Sequence, residues 1–172
     1  LYRMIDDTEA LTKAAINGEL STRADIAQHK GGYRQIVEGM NNTLDAVIEP
    51  VNEARDVLEK LAQGNLNIAV TGDYQGDHAV IKDALNSTIE TLKGYIGEIA
   101  DILGQMSNGN LNVKIVSDYK GDFIKLKESI NGIVASLNEV LGEINTAAEQ
   151  VSTGTSQVSD GSQEISQGAS EQ

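Results

Sequence analysis

Apolar residues in this chain recur at helical spacing over long stretches. Ile81, Leu85, Ile89, Leu92, Ile96, Ile99, Leu103 and Met106 are separated by threes and fours, the rhythm of a coiled-coil seam, with a doubled four at the start. Ile36, Met40, Leu44, Val47, Val51, Ala54, Leu58 and Leu61 repeat the same steps. The spacing predicts an unbroken helix over 79–107, about 43 Å long at 1.5 Å per residue. From Phe123 the pattern hardens, because Phe123, Ile130, Leu137, Ile144, Val151, Val158 and Ile165 stand seven apart. The intermediate positions shrink from Leu126, Ile133 and Val140 through Ala147 to Gly154, Gly161 and Gly168. A Ser, Thr and Gly-rich tail usually reads as a flexible linker, but a linker has no reason to hold a heptad. The tail is therefore expected to be a thinly packed, easily disturbed coiled coil.

Between the helical stretches lie segments of 12 to 15 residues opened by Gly18, Gly64 or Gly109, a residue suited to the left-handed turn that ends a helix. Leu66, Ile68 and Val70 alternate with polar residues there, as do Leu111, Val113 and Ile115. Alternation is the strand signal, yet each segment lacks a partner strand. The favoured expectation is an extended connector that runs back along its helix and returns the chain to the same end. That gives parallel helices, with the apolar connector residues pinned in their groove.

These features form a tandem repeat. Gly64/Gly109, Asn65/Asn110, Leu66/Leu111, Asp73/Asp118, Tyr74/Tyr119, Gly76/Gly121, Asp77/Asp122 and Asn86/Asn131 are each 45 apart. A worn copy precedes them, with Gly18, Leu20, Gly31-Gly32-Tyr33 and Asn41. One unit of two helices carries two narrow apolar seams and no second layer. Lateral association is needed to cover them, and a homodimer supplies four helices per layer. The expected fold is all-α: three stacked parallel four-helix layers, formed by a homodimer, running into a coiled-coil tail. The units are read as residues 1–48, 49–93 and 94–143, with the tail at 144–172. Leu1 reads as mid-helix, so a longer parent chain is expected.

Composition narrows the function. Thirteen Lys plus Arg against 26 Asp plus Glu give a net charge of −13, with no basic stripe to track phosphates, so no nucleic-acid partner is expected. Zero cysteines exclude disulfides and thiolate-held metals, and six aromatic residues in 172 leave little for a compact core. No stretch approaches the length of a membrane-spanning helix. His29 and His78 are far apart and unmatched between repeats, so both are expected to be ordinary solvated residues. Carboxylates are spread along helix faces rather than paired, and no Gly-Lys-Ser/Thr follows the glycines. No enzyme, metal, cofactor or small-molecule ligand is expected. Asp77 and Asp122 fall at helix starts, where a carboxylate suits the backbone N–H groups and the dipole, with a switching role riding on that position. Asn41, Asn86 and Asn131 read either as register-fixing polar contacts or as simply exposed.

The units resemble HAMP domains, the parallel four-helix relay modules of bacterial and archaeal receptors. The family pattern places a proline in the first helix, then a Gly-x-hydrophobic connector, an acidic residue at the second helix start, and an apolar-Asn pair there. Pro50, Gly64-Asn65-Leu66, Asp77 and Leu85-Asn86 follow it. So do Gly109-Asn110-Leu111, Asp122 and Ile130-Asn131, with Tyr95 at the proline position. The first unit has Met4 and Gly32 at the proline and acidic positions. All three lack the glycine two residues after the acid (Arg34, Ala79 and Ile124 stand there), which suggests the divergent subclass of tandem arrays. The tail from Ala147 resembles the entry to the kinase-control bundle of methyl-accepting chemotaxis proteins, and Glu171-Gln172 resembles its methylated pair.

The resemblance implies a relay from an upstream sensor to a histidine kinase and coupling protein bound farther along. It also implies the cytoplasmic portion of an inner-membrane receptor, with a fully soluble receptor as the alternative. Connector packing then rests on Gly18, Leu20, Gly64, Leu66, Val70, Gly109, Leu111 and Ile115, helix-start switching on Asp77 and Asp122, and the junction on Pro50. The rival readings are an adaptor in a sensor histidine kinase or cyclase, and a passive spacer rod. The absence of any histidine after His78 favours the chemoreceptor.

Overall fold

A computed structural model describes residues 2–170. The regular elements of the described residues are all helices, with no strand among them: α1 (Tyr2–Ile16), α2 (Gly32–Ala62), α3 (Asp77–Ser107) and α4 (Phe123–Ser170), with one 3₁₀ turn, Ile26–Gln28, before α2. It divides into two compact units, Leu1–Lys93 and Gly94–Gln172.

Each of the first three helices stops the same way. Gly18, Gly64 and Gly109 take φ of 78°, 83° and 82°, values that glycine adopts without a Cβ penalty. The turn lets the next N–H reach back to an orphaned carbonyl: Glu19 N to Ala14 O at 2.8 Å, Asn65 N to Lys60 O at 3.1 Å, and Asn110 N to Gln105 O at 3.0 Å.

The chain then runs backwards. In the middle connector, Thr71 bonds Glu53 of α2, while Val70 bonds Asn86 and Gly72 bonds Lys82 of α3. The chain leaves α2 at Ala62 yet by Thr71 lies back against Glu53, and its partners on α3 step from Asn86 to Lys82, toward that helix's N-terminus. The connector is thus antiparallel to both helices, and α2 and α3 are parallel to each other. The order repeats in the third connector, with Leu111 on Asn138, Ile115 on Asn131 and Ser117 on Lys127. It recurs in the first, with Arg23 on Asp45, Ala24 on Asn41 and His29 on Asp7.

Two apolar clusters sit on the connectors. One joins Val57, Val70 and Ile89, and the other joins Tyr95, Ile102, Ile115, Tyr119 and Ile130. In α2 the buried positions are Val37, Asn41, Ile48, Pro50 and Val57, all off the predicted stripe. Part of the stripe stays open: Ile36, Val47, Val51 and Leu58 remain about half exposed, as do Ile81, Ile96 and Leu103 of α3, whereas Ile89 is 1% exposed and Leu61, Leu85, Ile99 and Met106 pack against the connector clusters. The rhythm thus serves two faces: some of its members pack against the connector, and the others lie on the adjacent side that a single chain leaves uncovered. Tyr95 and Ile102, outside the stripe, are the buried residues of α3 beyond Ile89.

The Ser/Thr-rich tail is helix to Ser170. Thr146, Thr153, Thr155 and Ser170 turn their hydroxyls back onto the carbonyls four residues earlier, at 2.8 to 3.0 Å. These groups are therefore satisfied without leaving the helical conformation.

Candidate functional site: the helix connectors

An extended segment without a neighbouring strand leaves its N–H and C=O groups without partners, and burial makes that costly. The middle connector buries Val70 to 3% exposure, and the third buries Ile115 completely. One asparagine answers for each. Asn86 Oδ1 accepts from Val70 N at 2.8 Å while its Nδ2 donates to Val70 O at 2.9 Å. Asn131 does the same for Ile115 at 2.9 and 3.1 Å, and Asn41 for Ala24 at 3.0 and 2.9 Å. A carboxamide carries the donor and acceptor of a peptide group side by side, so it stands in for the missing strand. The sequence left these asparagines between register contact and exposure. Their partner is the connector backbone.

A lysine adds a second tie. Lys82 Nζ donates to Gly72 O at 2.7 Å, and Lys127 Nζ to Ser117 O at 2.7 Å and Val116 O at 3.2 Å.

On the preceding helix, Glu53 gathers the middle connector. Its Oε1 accepts from Thr71 N at 2.7 Å and Thr71 Oγ1 at 3.1 Å, Gly72 N lies 3.2 Å from both oxygens, and Tyr74 Oη donates to Oε2 at 2.5 Å. The Tyr74 hydroxyl first, and then the Thr71 amide, hold the Glu53 carboxyl down to about 2. The same hydrogen bond, helped by burial, pushes the Tyr74 phenol up to about 12. In the third connector Tyr119 Oη donates to Tyr95 O at 3.2 Å and the two rings lie 4.1 Å apart. Burial, and then the charge of Glu98, raise the Tyr119 phenol. Glu98 itself takes Val116 N at 3.3 Å.

The first connector corrects one expectation. His29 is not a solvated residue: it is 7% exposed, with Nε2 2.6 Å from Asp7 Oδ2. Nor is it unmatched, because it stands 45 before Tyr74, which stands 45 before Tyr119, and fills their position. A repeat search keyed on residue identity passes over it, since an imidazole replaces a phenol. His78 is half-buried, with its ring edge-on to Tyr74 at 6.5 Å.

The other expected positions fall as follows. Leu66 and Leu111 are half-buried and Leu20 is exposed. Pro50 is buried inside α2, where it contributes no N–H. Asp77 is the first residue of α3, and Asp122, fully exposed, precedes α4 with Lys125 Nζ 3.6 Å away. Glu171 and Gln172 lie outside the described residues. Among the described residues no group of carboxylates and histidines is arranged to hold a metal, and no helix is long and apolar enough to cross a membrane.

Parallel helices joined by a backbone-clamped connector, repeated along one chain, define the class as a helical linker module. The chain belongs to the HAMP domain family, whose profile matches residues 28–94 and 96–139. HAMP domains act as signal-relay linkers in receptors, and the family is not a catalytic one. The match leaves α1 outside. No curated protein matches the chain.

Proposed function

We propose that this chain is the tandem relay of a chemoreceptor, working as a parallel homodimer. The observation that carries the reading is the open stripe. Val47, Val51 and Leu58 of α2 keep a coiled-coil rhythm while half exposed, and Pro50, Ala54, Leu58, His78 and Ile81 line an apolar groove of about 530 Å³ beside them. A second copy in the same direction presents the same stripe to the first and closes both. On this reading three layers occupy 1–48, 49–93 and 94–143, with α1 and its connector completing the first. Residues 144–172 then open a kinase-controlling coiled coil.

The mechanism follows from the connectors. Each ties two parallel helices at a fixed stagger, so a shift, rotation or separation of the entering helix is passed on as a change in how the layer packs. Two packings of similar energy are inverted by a bias of a few kcal/mol. Because α3 is unbroken from Asp77 to Ser107, it forces a change at its start onto its end. The thin tail packing beyond Ile144 is the output, read by a histidine kinase and coupling protein. The protein is then the cytoplasmic portion of a receptor. The rival that shares most of this is an adaptor in a histidine kinase or cyclase, and the uninterrupted heptad of α4 favours the chemoreceptor.

The test has two arms. Chain mass in solution should be twice 18.3 kDa, and Leu58→Glu should return it toward one copy. In the full receptor with its kinase, Leu66→Ala or Leu111→Ala should change basal kinase output severalfold. Constant output from a dimer that is otherwise intact would leave a spacer rod, and a wild-type monomer would end the relay reading.

A further inference from the structure

We propose that each connector is fastened at one repeat position by a different chemistry, His29 on Asp7, Tyr74 on Glu53 and Tyr119 on Tyr95, so that one connector can be released while the others hold. His29, Tyr74 and Tyr119 are spaced by 45, and each bonds a residue of the helix before its connector. The equivalent acids are Asp7, Glu53 and Glu98, spaced by 46 and 45, in keeping with the offsets of the glycines. One scaffold position therefore carries an imidazole on a carboxylate, a phenol on a carboxylate, and a phenol on a carbonyl.

Two substitutions explain why Tyr74 and Tyr119 part company. A Cβ built on Gly72 would clash with the Tyr74 ring, so the ring needs bare backbone there to lie across it and reach Glu53. The third connector has Ser117 at that position, which denies Tyr119 the same path. Pro50 offers Tyr74 no aromatic ring to stack on, whereas its counterpart Tyr95 offers one to Tyr119, with the Phe123 ring 5.0 Å from that of Tyr95. The Tyr95 hydroxyl then accepts Lys120 N at 3.1 Å and lies 3.5 Å from Asp118 O. The middle fastening depends on a fixed negative charge, and bonds to a charge are roughly twice as strong as neutral ones. At the third, the Tyr119 phenol donates to a neutral carbonyl and stacks on a ring, with the Glu98 carboxylate on Val116 N beside it, so this fastening does not depend on the charge of Glu53. The inference stands on connector geometry and does not need the relay reading.

Amide hydrogen exchange on the intact chain at one pH tests it, because intrinsic rates cancel when each amide is compared with itself between wild type and variant. Glu53→Gln should speed exchange of the Thr71 and Gly72 amides about 10- to 100-fold and leave Val116 and Lys120 unchanged. Tyr95→Phe should speed Lys120 and leave Thr71 and Gly72 unchanged. Tyr74→Phe, which keeps the carboxylate and its backbone bonds, should speed Gly72 severalfold and serves if Glu53→Gln does not fold. The proposal fails if either variant loosens both connectors together, or if Thr71 and Gly72 keep wild-type protection once their carboxylate or phenol is altered.

Discussion

Removing the Asn86 carboxamide is the most direct challenge to the idea that a side chain replaces a strand. Asn86→Ala leaves Val70 N–H and Val70 C=O without the partners they hold at 2.8 and 2.9 Å, at a residue only 3% exposed. An orphaned buried polar group costs about 1–3 kcal/mol, so the pair should cost about 2–4 kcal/mol once some water reaches the gap. For a chain of this length 1 kcal/mol moves Tm by roughly 2–4 °C, which places the expected fall at about 5–15 °C. Asn86→Asp is the sharper variant: one oxygen still accepts Val70 N, but the other now faces Val70 O, lone pair to lone pair, and it should destabilise at least as much. Circular dichroism melts at fixed chain concentration give the global figure, and concentration must be held because association adds to apparent stability. Exchange of the Val70 amide gives the local one, with Ile115, clamped by Asn131, as the internal control. A Tm within about 2 °C of wild type, with Val70 still protected, would refute the reasoning, because the connector backbone would then be satisfied by something other than the asparagine.

Two further outcomes are expected. Because the Glu53 carboxyl is held near 2 against an ordinary 4.5, its contribution is present above 4.5 and is lost as pH falls from there toward 2; carbon-13 titration should show one glutamate lagging the rest, and a Glu53 midpoint near 4.5 would contradict the four-donor site. Ile115→Ala, at a fully buried position, should cost about 2–5 kcal/mol, while Val116→Ala beside it, 76% exposed, should stay within about 0.5 kcal/mol; equal losses in denaturant melts would place the wrong residue in the core.

The sequence disclosed those parts of the fold that depend on periodicity. Helix limits at Ser107 and Phe123, the glycine turns, and the return path of the connectors follow from spacing, because backbone rise and left-handed turns leave fixed signatures. The coiled-coil stripe was also legible, but its meaning differs within one chain. Ile81, Ile96 and Leu103 lie on the open face, while Ile89 of the same stripe is covered together with Tyr95 and Ile102, which stand one step aside. A helix with two adjacent apolar faces does not say in its sequence which neighbour takes which. The asparagines were visible as a repeat and ambiguous as chemistry, since a polar residue beside a seam is compatible with several partners. Glu53 was invisible. Nothing distinguishes it from the other surface carboxylates until Thr71, Gly72 and Tyr74 are folded back onto it.

A carboxamide that holds N–H and C=O recognises main-chain position and is blind to the side chain attached. Asn86 grips a valine, Asn131 an isoleucine and Asn41 an alanine with the same pair of bonds. The segment between two helices thus behaves as a cassette: its exposed residues are free to drift and its buried one need only match the groove that receives it, while the docking point stays put. A lineage can diversify one module's stiffness this way without renegotiating the helices on either side.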